Sequence, residues 1–129
     1  MATMIKFRAW DKENEIYLYN VQDAYDTLSG FVKYDDGEDA EYDECCFGDF
    51  LDNKRYDTEQ FTGLKDVNGK EIYEGDILEN RKYRSIVKFA NGKFLADVVG
   101  TISRFDLIGE THGSKVIGNV HENPELLKG

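Results

Sequence analysis

At 129 residues the chain has the length of one domain and can bury roughly two-thirds of the surface its unfolded form exposes, so a core needs neither disulfide nor metal. Aromatic residues make up 13% of it, which excludes a largely disordered chain, and a formal net charge of −10 argues against direct binding of nucleic-acid backbones. No stretch approaches the roughly 20 apolar residues of a membrane-spanning helix, and the N-terminus lacks the basic-then-apolar pattern of a secretory signal.

In chain order, Ile5, Phe7 and Ala9 alternate with Lys6 and Arg8, the period-two signature of a half-buried strand. Asp11 to Asn14 reads as a turn and Ile16 to Tyr19 as the returning strand, so the chain opens with a hairpin. Trp10 falls on the face opposite Ile5 and Phe7, beside Arg8. Val21, Ala24, Tyr25 and Leu28 are spaced as one helix stripe, which predicts a short helix. Phe31 to Tyr34 predicts a strand, and Asp35 to Asp39 a loop.

After Glu59 the pattern sharpens. Asn68-Gly69 suggests a tight hairpin, but a two-residue turn there would oppose Asp66 and Glu71, an unfavourable like-charge pair. A longer loop containing Asn-Gly is expected instead. Gly75 can supply a positive φ, and Asp76 can accept backbone N–H groups in the same turn before Ile77 starts a strand. The cleanest hairpin turns at Asn91-Gly92 and pairs Phe89 with Phe94 and Val87 with Ala96 on one face, with Lys88 and Asp97 on the other. Both phenylalanines are expected in the core. Thr101 to Ile108 and Lys115 to His121 predict two further strands. Asn123-Pro124-Glu125 reads as a helix start, with a capping residue, a first-position proline and an acid at the positive dipole end.

Charge is placed unevenly. Residues 1–58 hold 15 acids against 6 bases, and residues 59–129 hold 11 against 10. Asp35 to Asp52 alone carries nine acids and no Lys or Arg. Such a run is expected to be solvated and the least ordered part of the chain. It fits an EF-hand poorly: with Asp35 at position 1, Ala40 stands where glycine is needed and Cys46 where glutamate is needed. No metal site or cofactor is expected. The two histidines, His112 and His121, lie outside any H-x-x-x-H pattern, and G-x-S-x-G and P-loop motifs are absent. Adjacent Cys45 and Cys46 rarely reach disulfide geometry and read as reduced thiols of a cytoplasmic protein. No catalytic residue stands out. Arg8 and Trp10 are the candidate partner surface, because Arg beside Trp is a composition favoured at interface hot spots. The alternative is that Trp10 packs over the turn or against the second half of the chain.

Three blocks resemble the YopX-like proteins of phages and prophages: Phe7-Arg8-Ala9-Trp10-Asp11, TGLKDVNGKEIYEGDIL from Thr62 to Leu78, and IGNVHENPELL from Ile117 to Leu127. Residues 20–58 match no family pattern, and His121 stands where the family commonly has an aromatic. The resemblance implies a mainly β fold, with an N-terminal β subdomain over 1–58, an SH3-like small barrel over 59–129 and one or two short helices. It also implies a phage or prophage source, and so the cytoplasm of a bacterial host. It supplies no activity. The expectation is a non-enzymatic accessory protein that works through protein contacts, either with another protein or by self-association. An acidic inhibitor that imitates nucleic acid is the alternative. A homo-oligomer is expected, with the hairpin around Arg8 and Trp10 at its interface. No membrane or direct nucleic-acid partner is expected.

Overall fold

A computed structural model describes residues 5–24 and 30–127. The chain divides into two compact units, Met1–Gln60 and Phe61–Gly129. The class is mainly β and every ladder is antiparallel. Among the described residues no helix is long and apolar enough to cross a membrane.

In the first unit β1 (Phe7–Asp11) and β2 (Ile16–Tyr19) form the expected hairpin. Asp11 builds its turn: the carboxylate accepts from the N–H groups of Glu13 and Asn14. Glu15 takes φ +54° to close the turn. A short β3 (Lys33–Tyr34) adds to β2, and the first half of β4 (Tyr56–Lys65) pairs with β1. β1 is therefore flanked on both sides, and Arg8, Ala9, Trp10 and Asp11 are all buried. One face of this sheet carries the core: Ala9, Leu18, Val21, Val32, Tyr42, Phe50 and Tyr56, with Phe7 and Ile16 packed against it. The helix expected from Val21 appears as a single 3-10 turn, Val21–Asp23. Its continuation through Tyr25 and Leu28 lies outside the described residues.

The acidic run is more structured than its charge suggests. Tyr34 and Ala40 donate their N–H groups to the carbonyls of Glu38 and Val32, so Asp35 to Gly37 form the tip of a tight reversal. Helix α1 (Phe47–Asp52) follows, with Phe50 fully buried. The apolar residues interleaved with the acids, Ala40, Tyr42 and Phe50, pin the run to the core, which charge counting overlooks.

In the second unit the end of β4 pairs with β5 (Glu71–Tyr73) around a loop from Asp66 to Lys70, longer than two residues as expected. A second sheet has the order β10-β6-β7-β8-β9. Its strands are β6 (Asp76–Glu79), β7 (Arg84–Ala90), β8 (Lys93–Val98), β9 (Arg104–Asp106) and β10 (Lys115–Asn119). A short helix α2 (Leu107–Glu110) follows β9 directly, ending the predicted Thr101–Ile108 strand early. The core of this unit is Ile72, Leu78, Val87 and Leu107, with Leu64, Phe94 and Val116 against it. These ladders establish antiparallel sheets; an SH3-like barrel is a finer description than they reach.

The β7–β8 hairpin has the expected register, Phe89 opposite Phe94 and Val87 opposite Ala96. Asn91 and Gly92 take φ +55° and +80°, as a two-residue type I′ turn requires. The burial expectation needs correction. The two rings meet edge to face with centroids 5.0 Å apart, yet Phe89 is 50% exposed. The ladder extends past the edge of the core, so Val87 and Ala96 are sealed while Phe89, one step nearer the tip, is not.

Candidate functional site: the Arg8–Trp10 face and the acidic cleft

β1 projects Arg8 and Trp10 away from the Ala9 side of the sheet, because successive strand residues point to opposite faces. Register sets their neighbours: Arg8 lies between Tyr19 of β2 and Glu59 of β4, and Trp10 between Tyr17 and Asp57. The Arg8 Nε donates to Glu59 Oε1 at 2.8 Å, and the Tyr17 hydroxyl donates to the same oxygen at 2.9 Å. The guanidinium carbon sits 4.3 Å from the centre of the Tyr17 ring. Trp10 meets that ring edge to face at 4.9 Å. One tyrosine therefore binds the carboxylate through its hydroxyl while its ring meets the guanidinium and the indole. Arg8 and Trp10 are 4% and 8% exposed, and Tyr17 and Glu59 are equally enclosed. The sequence reading offered Arg8 and Trp10 as a partner surface; both side chains are buried, together with Tyr17 and Glu59, which it did not place with them. Glu59 stands 51 positions from Arg8, and only the β1–β4 register joins them.

A second, partly buried charge pair anchors the hairpin turn. Arg55 grips Asp11 through both Nε and Nη2 at 2.9 Å, a two-pronged geometry that guanidinium and carboxylate share. Burial alone would raise the Asp11 carboxyl. The Arg55 bonds and the Asn14 and Glu13 N–H groups outweigh it and hold the group below its ordinary value. The Asp11 bond in turn raises Arg55.

Acids of the insert gather around a cleft of about 350 Å³ lined by Asp43, Glu44, Asp49, Asp52 and Asn53. Glu44 is buried and accepts from the Tyr56 hydroxyl at 2.7 Å. Burial and that bond both push the phenol pKa up. Asp49 is committed locally, its Oδ2 accepting from the Cys45 N–H. Among the described residues no three His, Cys, Asp or Glu side chains converge as a metal site. Cys45 and Cys46 are exposed free thiols.

The blocks of the resemblance are backbone-building devices. Asp66 accepts from the N–H groups of Asn68, Lys70 and Val116, each at 2.8 Å, so one carboxylate closes its loop and ties it to β10. Asp76 accepts from the Tyr73 N–H at 2.8 Å across the turn where Gly75 takes φ +84°. In the last block, Asn119 Oδ1 accepts from His121 and Glu122, while Asn123 Oδ1 returns to the Asn119 N–H. Gly118 is needed for space: a Cβ there would stand 2.4 Å from Asn123 Oδ1.

The family model described as YopX protein matches residues 6–128. The fold resembles the crystal structure of protein EF1440 from Enterococcus faecalis, at 34% identity and a TM-score of 0.62, over 98% of this chain and 100% of that one. It also resembles the crystal structure of protein yopX from Bacillus subtilis, at 20% identity and a TM-score of 0.50, over 96% of each chain; that likeness concerns the fold alone. Among curated proteins nothing matches. With nearly its whole length covered by the family model, the chain belongs to the YopX family.

Proposed function

We propose that this chain is a non-enzymatic accessory protein of phage or prophage origin that works in the bacterial cytoplasm through contacts with another protein. The observation that carries this reading is the use made of the family blocks. Asp66, Asp76, Asn119 and Asn123 are engaged in turn and loop hydrogen bonds, so what the family shares is a scaffold, and function is left to the surface. The acidic insert, Asp35 to Asp52, lies within the residues that the family model matches, and its exposed Asp35, Glu41, Asp43 and Asp52 surround buried anchors.

That insert also supports a second reading, an acidic mimic of nucleic acid that occupies a basic host protein, since dense negative charge attracts such a partner over a Debye length. Affinity capture from phage-infected host cells, at about 0.05 and 0.5 M salt, separates the two when the wild type is run beside a variant with Asp35, Glu41, Asp43 and Asp52 changed to amides. An accessory module retains its partner at both salts and in the variant. A mimic loses its partner in the variant and at high salt. Failure to enrich any protein over a scrambled-bait control under either condition would overturn both.

A further inference from the structure

We propose that the chain self-associates across the free edge of β9, two copies pairing antiparallel about a two-fold axis through Phe105. This surface differs from the Arg8–Trp10 face and stands whether or not another protein is bound. Among the described residues β9 is the last strand of its sheet, and Arg104, Phe105 and Asp106 are all exposed. A free edge is a template for another strand. Natural edges are usually short and charged, and this one is both. Its charges, however, have opposite signs and stand symmetrically about Phe105.

Under the proposed axis, residues equally far on either side of Phe105 face one another. Arg104 then lies opposite the partner's Asp106, and Asp106 opposite the partner's Arg104, two favourable cross-strand pairs. The Phe105 rings meet at the axis. Ile102 approaches the partner's Ile108. Both isoleucines lie open, 103% and 67% exposed, with Phe105 at 43%. The stretch Ile102-Ser103-Arg104-Phe105-Asp106-Leu107-Ile108 is thus self-complementary in charge and in apolar character, as an isologous contact demands.

The side chains are held ready for it. Arg104 is bound by Asp97 through Nε and Nη2 at 2.8 and 3.3 Å, and Asp106 by Lys93 at 2.8 Å. A guanidinium has five donors and a carboxylate about four acceptor sites, so each retains capacity toward a partner. Phe105 is braced by stacking on Tyr83 at 5.7 Å. Overall charge permits the approach on this side. Residues 61–129 carry ten acids and ten bases, whereas residues 1–60 carry 16 acids and six bases. Because α2 begins at Leu107, the shared ladder is confined to three residues, so the dimer is a weak one.

Sedimentation velocity from roughly 10 μM to 1 mM, the range of weak association, tests it. The wild type should dimerise within that range. Ile102→Asp, at a fully exposed position, should leave the fold intact and remove the dimer. Arg104→Asp and Asp106→Arg, each alone, oppose like charges and should weaken association by roughly 100-fold. Mixed one to one, they should form a heterodimer, because each new acid faces an arginine and each new arginine an acid. Mixing does not repair the pairs that each variant loses within its own sheet, with Asp97 or Lys93, so rescue reads contact between copies alone. A wild type that stays monomeric at 1 mM, a dimer indifferent to Ile102→Asp, or charge variants that fail to rescue one another would each overturn the proposal.

Discussion

The Asp66 carboxylate gathers three N–H groups from two segments, and their bonds, with the nearby Lys70 charge, outweigh the burial that would raise its pKa. Asp11 is lowered in the same direction, mainly by Arg55. A carboxyl lowered on folding adds stability that is fully present above its unfolded value of about 3.9 and is lost as pH falls through the folded value. Asp66→Asn should therefore cost about 2–3 kcal/mol at pH 7, because charge-assisted bonds weaken and an amide N–H₂ replaces one acceptor. The deficit should begin to shrink below about pH 3.9, where the unfolded chain binds the proton, and close as pH falls through the lowered folded value. Urea titrations at pH 7 and about pH 2.5 decide this; an equal deficit at both would show that the charge contributes nothing. Arg8 and Glu59 make a different case, a buried pair whose members are costly to separate. Glu59→Gln should cost about 3–5 kcal/mol, whereas the double change Arg8→Met with Glu59→Leu should cost less than either single change, since no unpaired charge remains buried. Costs that simply add would show that the two side chains do not depend on each other. At this scale the sequence was partly legible. The Asp76 turn followed from local chemistry, because its acceptor and donor lie three residues apart. The burial of Arg8 did not, because a charge alternating with apolar residues reads as solvent-facing until its distant partner is known.

Hairpins were the most legible elements, since turn chemistry and side-chain alternation both act within a dozen residues. The β1–β2 hairpin formed where it was read, and the register of β7–β8 came out as read. How far a ladder runs beyond the core is a tertiary matter, and there Phe89 was misplaced. The two rings now make unequal predictions. Phe94 packs against Ile72, Leu78, Val87 and Leu107 and is only partly buried, so Phe94→Ala should cost about 2 kcal/mol, less than a fully buried phenylalanine would. Phe89→Ala, at a half-exposed site, should cost about 1 kcal/mol or less. Thermal unfolding of the two variants orders them, and a larger loss for Phe89 would contradict the observed burial. The acidic insert was the least legible element. Its nine acids dominate any charge count, yet Ala40, Tyr42 and Phe50 decide where it lies. Those three residues have no periodicity that marks strand or helix, so only contacts with β1, β2 and β4 reveal them as core.

Across the whole molecule the negative charge is almost entirely a property of the first sixty residues, where 16 acids face six bases, while the remaining residues balance at ten each. Self-repulsion of this kind opposes the compact state and is screened by salt. Two favourable pairs of the first unit respond differently. Arg8–Glu59 and Arg55–Asp11 are wholly or partly buried, and buried pairs are screened much less than exposed ones. Added salt therefore relieves repulsion among Asp35, Glu41, Asp43 and Asp52, all exposed, while leaving the pairs that hold the sheet largely intact. The melting temperature should accordingly rise between about 0.02 and 0.5 M sodium chloride, as the Debye length falls from about 20 Å to about 4 Å. Changing those four acids to amides should raise the melting temperature at low salt and flatten its salt dependence. Changing Glu125, an exposed acid in the balanced half, to glutamine should do neither. Calorimetry of the three proteins across the salt range, repeated with sodium sulfate to separate screening from surface exclusion of the anion, distinguishes local repulsion from a general salt effect. If all three proteins gained the same number of degrees, the stabilisation would belong to hydrophobic burial across the whole chain, and the crowding of acids in the insert would carry no measurable strain.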